Sequence, residues 1–116
     1  MKSILLVSHG SRSSKTKEEV QRLVEVLKIK TSMKICEYAF LEIESPSIPE
    51  GIDLCVNKGA GEVVVVLNFL NSGRHVDQDI PAIVQAAREQ YPQIKFTITP
   101  PVGQHAQISD LFVDLI

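Results

Sequence analysis

Long apolar runs are missing from this sequence. The longest, Val63 to Leu67, falls far short of the ~20 residues a bilayer-spanning helix needs, and only Lys2 precedes the first apolar segment. Neither a membrane span nor a secretory signal is expected, and the chain reads as cytoplasmic. Nor is there an excess of positive charge. Twelve lysines and arginines stand against 14 acidic residues, for a formal net charge of -2, and the basic residues are scattered. That provides no field for a phosphate backbone and argues against a nucleic-acid partner. Cysteine is scarce: Cys36 and Cys55 stand alone with no CxxC spacing, so a disulfide framework and a thiolate zinc site have no support. Both read as small buried hydrophobes. Internal repeats, low-complexity segments and linkers are also absent. What remains is 116 residues, 44% hydrophobic and 22% charged, enough for one domain with a real core and too few for two. Residues 1-116 are therefore expected to form a single α/β domain.

Strand and helix signals alternate along the chain. SILLVS (3-8) is a short apolar run bounded by turn residues, as in a strand buried on both faces. Thr16 and Glu19 have capping-box spacing, and Val20, Leu23, Val24 and Leu27 form one apolar stripe, predicting a helix over about 15-30. KICEYAFL (34-41) has the content of a second strand, broken by SPSIP. Ser47 and Glu50 make another capping box, opening a helix that Gly59 stops. EVVVVL (62-67) reads as a central strand covered on both sides. Asp77 or Asp79 is expected to cap a third helix carrying Ile80, Ile83, Val84 and Ala87 and ending near Pro92. IKFTIT (94-99) alternates like a strand nearer an edge, and Ile108, Leu111, Phe112 and Leu115 mark a last short amphipathic helix. Strict alternation with right-handed crossovers predicts a three-layer, doubly wound, four-stranded parallel sheet of order 2-1-3-4.

In such sheets ligands bind beyond the carboxyl ends of the strands. His9 follows the first strand, His75 lies after the third and His105 after the fourth, and these are all the histidines present. Random placement would put all three in such loops about once in sixty trials if those loops held a quarter of the chain. Glu42, at the end of the second strand, adds an acid to the same rim. Two imidazoles and a carboxylate suit a divalent first-row transition metal. Plainer roles exist for each: His9 as a helix cap, His75 and His105 as solvated surface, Glu42 as a helix-entry charge, and Arg12 and Arg74 as solvated cations. A strand-end HG also begins the histidine phosphatases, in which the imidazole is phosphorylated near a helix N-terminus. Here, however, Ser8 stands where an arginine would be expected.

LLVSHGSR, AFLE followed by Glu44-Ser45-Pro46-Ser47, FLNSGRHVDQDIP and PPVGQH, in that order, resemble the small CbiX-type class II chelatases. This is the sirohydrochlorin cobaltochelatase group with its ferrochelatase relatives. Asn68 departs from the pattern, occupying a place where such strands often carry proline. The resemblance implies insertion of a divalent metal, cobalt first and iron or nickel as alternatives, into sirohydrochlorin or a related tetrapyrrole. It implies no permanent cofactor, the metal being a substrate. It assigns His9, Glu42 and His75 to metal handling and catalysis. Ser8, Gly10, Arg12, Gly73 and Arg74 are then expected around the tetrapyrrole, whose ring of carboxylates suits Arg12, Arg74 and Lys15 at the rim, and His105, on the same edge of the sheet, is a further candidate. It also implies a homodimer of short chains. A non-catalytic metal or tetrapyrrole carrier using the same rim is the alternative.

Overall fold

The structure, a computed structural model, describes residues 1-116. Four parallel strands, β1 (Lys2–Ser8), β2 (Ile35–Phe40), β3 (Glu62–Leu67) and β4 (Lys95–Ile98), pair in the order β2-β1-β3-β4. This is the expected sheet. Six of the seven β1 residues are buried, because β1 has a neighbour on either side and packs on both faces. Leu5 and Val7 join the larger core with Val63, Val65, Leu67 and Phe96, whereas Ile4 and Leu6 face the smaller one with Cys36 and Phe40.

Helix α1 (Ser14–Thr31) lays Val20 and Val24 on that smaller core. Its start corrects the Thr16–Glu19 expectation. Ser13 is the N-cap, in extended conformation, and Thr16 already lies in the first turn, its N–H donating to the Ser13 carbonyl at 3.2 Å. A capping box needs an extended residue at its head, and Thr16 is helical. Helix α2 (Ile48–Asn57) meets the expectation. The Ser47 N–H donates to Glu50 Oε1 at 2.8 Å, the Glu50 N–H returns to Ser47 Oγ at 3.3 Å, and Ile48, Ile52 and Cys55 enter the larger core.

Helix α3 (Ile80–Gln90) also departs from expectation at its start. Neither Asp77 nor Asp79 caps it, because a π-helical turn (His75–Asp79) runs directly into it and Asp79 has helical backbone angles. Both α2 and α3 pack on one face of the sheet, and α1 lies on the other. Helix α4 (Ile108–Leu115) follows a 3-10 turn (Val102–Gln104) and does not complete the α1 layer. β3 is consequently covered fully on one side only, with Val63, Val65 and Leu67 buried while Val64 and Val66 are half-buried. An apolar groove of about 420 Å³, lined in part by Val66, Thr99, Pro101 and Val102, opens beside them. No helix is long and apolar enough to cross a membrane.

Candidate metal centre

The chain runs from β1 outward to β2 and then returns to β3 on β1's other side, so the ends of these three strands enclose the switch point of the sheet. A crevice forms there because successive crossovers leave in opposite directions. His9 is the first residue past β1. Beyond β2 the ladder to β1 continues for two more bonds, Leu41 N–H to the Ser8 carbonyl at 2.9 Å and Glu42 N–H to the His9 carbonyl at 3.0 Å. Those bonds set Glu42 directly beside His9. Gly10 makes the approach feasible. With φ at +106°, a Cβ there would lie 1.9 Å from the Glu42 carbonyl oxygen, so no other residue fits.

The chain then turns sharply. Ile43 has φ +72°, and the Glu44 N–H donates to the Glu42 carbonyl at 2.8 Å, a three-residue turn that a β-branched residue adopts only under strain of about 1–3 kcal/mol. Glu44 is a contributor the sequence did not disclose. Its Oε1 accepts the Ser11 N–H at 2.7 Å and pins the loop after β1 to the loop after β2.

From the far side of the crevice the π-turn delivers His75. His9 Nε2 lies 2.7 Å from Glu42 Oε1 and His75 Nε2 lies 3.9 Å from the same oxygen, with the two ring centroids 5.2 Å apart. One ligand atom from each of the three residues falls within 4.8 Å of the others. At the other ring edges, His9 Nδ1 is 3.1 Å from the Gly10 carbonyl and His75 Nδ1 is 2.8 Å from Asp79 Oδ2. All three side chains are about half exposed, which leaves one side of the cluster open to solvent. Three convergent N and O donors would leave coordination positions open, unlike a closed four-ligand structural site.

The remaining candidates stand outside the three-residue cluster. Ser8 is 5% exposed, and its hydroxyl accepts from Asn68 Nδ2 at 3.0 Å, so it ties β1 to the end of β3 and does not face the crevice. Asn68 thereby uses both groups that a proline lacks, its N–H also donating to the Val7 carbonyl at 2.9 Å. His105 does not join the triad. Its Nδ1 accepts the Gln107 N–H at 3.0 Å ahead of α4, and its ring borders the apolar groove. Around Gly73 a Cβ would meet nothing, so the site places no steric demand on it. Arg12, Lys15 and Arg74 are exposed, and none forms an ion pair within the chain.

A family model described as CbiX matches residues 3–116. The chain belongs to the CbiX family. Among CbiX relatives, it is 38% identical over 113 residues to the chloroplastic sirohydrochlorin ferrochelatase of Arabidopsis thaliana, covering 97% of this chain and 50% of that one. It is 34% identical over 111 residues to the sirohydrochlorin cobaltochelatase of Sulfolobus acidocaldarius, covering 96% of this chain and 86% of that one. The crystal structure of the sirohydrochlorin chelatase SirB from Bacillus subtilis subspecies spizizenii, in complex with cobalt, superposes with a TM-score of 0.89 at 32% identity. That alignment covers 97% of this chain and 48% of SirB. The chain thus spans about half the length, or less, of several curated relatives it matches.

Proposed function

We propose that this CbiX-family chain inserts a divalent metal ion, cobalt foremost, into sirohydrochlorin or a closely related tetrapyrrole. The observation that carries this reading is the convergence of His9 Nε2, His75 Nε2 and Glu42 Oε1 on one small volume at the open end of the sheet. Metallation requires stripping water from the ion, presenting it to one face of the macrocycle and removing two pyrrolic protons as metal–nitrogen bonds form. Two imidazoles and one carboxylate hold an ion while leaving positions for the incoming nitrogens, and the same three groups are in place to receive the departing protons. Flat apolar faces ringed by carboxylates define the other substrate. Ile43, 59% exposed next to Glu42, and Leu70, 59% exposed in the loop leading to His75, offer apolar contact, and Arg12 and Arg74 offer cations for the carboxylate rim.

The reading includes a homodimer acting in the cytoplasm. Helix α4 supports the dimer: Leu111, Phe112, Val113, Leu115 and Ile116 are each at least 55% exposed, while the same chain leaves an apolar groove against β3 without a helix. A second copy covers both at once, and closed twofold pairing makes the exchange reciprocal.

The test is an absorbance assay of sirohydrochlorin with cobalt, iron or nickel(II), against the uncatalysed rate. Acceleration is expected, with His9→Ala and His75→Ala each lowering it by about 100-fold or more. Wild-type rates in both variants would end the proposal, and binding without acceleration would make the protein a carrier. Because relatives named for cobalt and for iron match alike, the order of the three metals is read directly from the same assay.

A further inference from the structure

Asp79 lies outside the triad, and it does not act as the helix cap that its place in the sequence suggests. His75 opens the π-turn and Asp79 ends it, with the Ile80 N–H donating to the His75 carbonyl five residues back. Such wide turns are uncommon and concentrate at functional sites. This one faces the Asp79 carboxylate toward the His75 ring edge, Oδ2 to Nδ1 at 2.8 Å. The carboxylate is 43% exposed and serves no core packing.

A carboxylate without its proton only accepts hydrogen bonds, so in this pair the His75 Nδ1–H is the donor and Asp79 Oδ2 the acceptor. In the neutral ring, Nε2 is then left with a lone pair, aimed toward Glu42 and His9. We propose that Asp79 is the positioning residue of the metal centre, holding His75 in the one tautomer and orientation that let Nε2 bind a metal. A carboxylate behind a ligating imidazole also raises the ligand's basicity. His9 is held differently, its Nε2 meeting the Glu42 carboxylate within the cluster at 2.7 Å and its Nδ1 meeting only the neutral carbonyl of Gly10, at 3.1 Å. The two imidazoles are therefore unequal. This inference rests on the metal-handling reading above.

The experiment compares the full chain with Asp79→Ala and Asp79→Asn. Long-range ¹⁵N–¹H correlation on metal-free protein at about pH 8, where an unperturbed imidazole is neutral, reports the ring tautomers. The His75 Nδ1–H form is expected in the wild type and in Asp79→Asn, whose amide oxygen still accepts. In Asp79→Ala the Nε2–H form should appear. Cobalt(II) titration of the same samples should show binding weakened by about 10–100-fold in Asp79→Ala, with partial recovery in Asp79→Asn. An unchanged His75 tautomer in Asp79→Ala overturns the proposal. So does a weakening of cobalt binding in His75→Ala that has no counterpart in Asp79→Ala. Unchanged cobalt binding in His75→Ala itself overturns the metal-site reading beneath it.

Discussion

Gly10, Ile43 and Cys55 show how single residues in this chain answer to different constraints. Gly10 is dictated by a carbonyl 1.9 Å from where its Cβ would be, and Ile43 is held in a strained turn next to Glu42. Cys55 is shaped chiefly by burial. It is fully buried, and loss of hydration for the thiolate pushes its pKa up to about 11. At pH 8 only about one thiol in a thousand would then be ionised. Native protein should therefore resist a thiol-specific disulfide reagent at Cys55, and both cysteines should react promptly in denaturant. Fast labelling of Cys55 in the folded protein would contradict this. At this scale the triad was legible because His9 and Glu42 adjoin strand ends and His75 sits in the loop after β3. Asp79 reads from the sequence as a helix cap, since nothing local separates a π-turn from a helix entry. Glu44 was not legible, because its partner Ser11 is 33 residues away.

The elements repeat that contrast in their caps. T-x-x-E and S-x-x-E are equivalent as local patterns, yet only Ser47–Glu50 forms the box. Ser47 is kept extended by a bridge to Phe40, whose N–H also donates to the Pro46 carbonyl at 2.8 Å. Thr16 has no such anchor and is absorbed into α1. Ser47→Ala should therefore cost about 1 kcal/mol in denaturant unfolding, and Thr16→Ala should change stability by less than about 0.5 kcal/mol. Equal losses would mean that both pairs cap. Strands were the more legible elements: the ranges expected for β2 and β4 exceed those observed by one residue at each end. Their apolar runs are set by burial in a parallel sheet, which few competing structures can satisfy.

For the molecule as a whole, α4 is the feature that most needs explanation. Phe112 is 55% and Leu115 84% exposed, and with Leu111 and Val113 they leave the helix with no buried residue. If α4 occupies the groove of a second copy, sedimentation equilibrium at micromolar concentration should give twice the chain mass. Phe112→Asp combined with Leu115→Asp should then give a monomer with its helical content largely retained. A monomeric wild type would refute the dimer.

The amino-acid order was enough to specify the strand succession, the parallel sheet in the order 2-1-3-4 and the placement of His9, Glu42 and His75 on one rim, because hydrophobic periodicity and crossover handedness are local or nearly local properties. Which side chains reach one another was settled only by folding. The seclusion of Ser8 behind Asn68, the tie of Glu44 to Ser11 and the separation of His105 from the triad depend on hydrogen bonds and packing between segments far apart in the chain, and the pairing of His75 with Asp79, although only four residues long, needs a π-turn that no local signal distinguishes from a helix entry. Spacing along the sequence carries no record of those contacts.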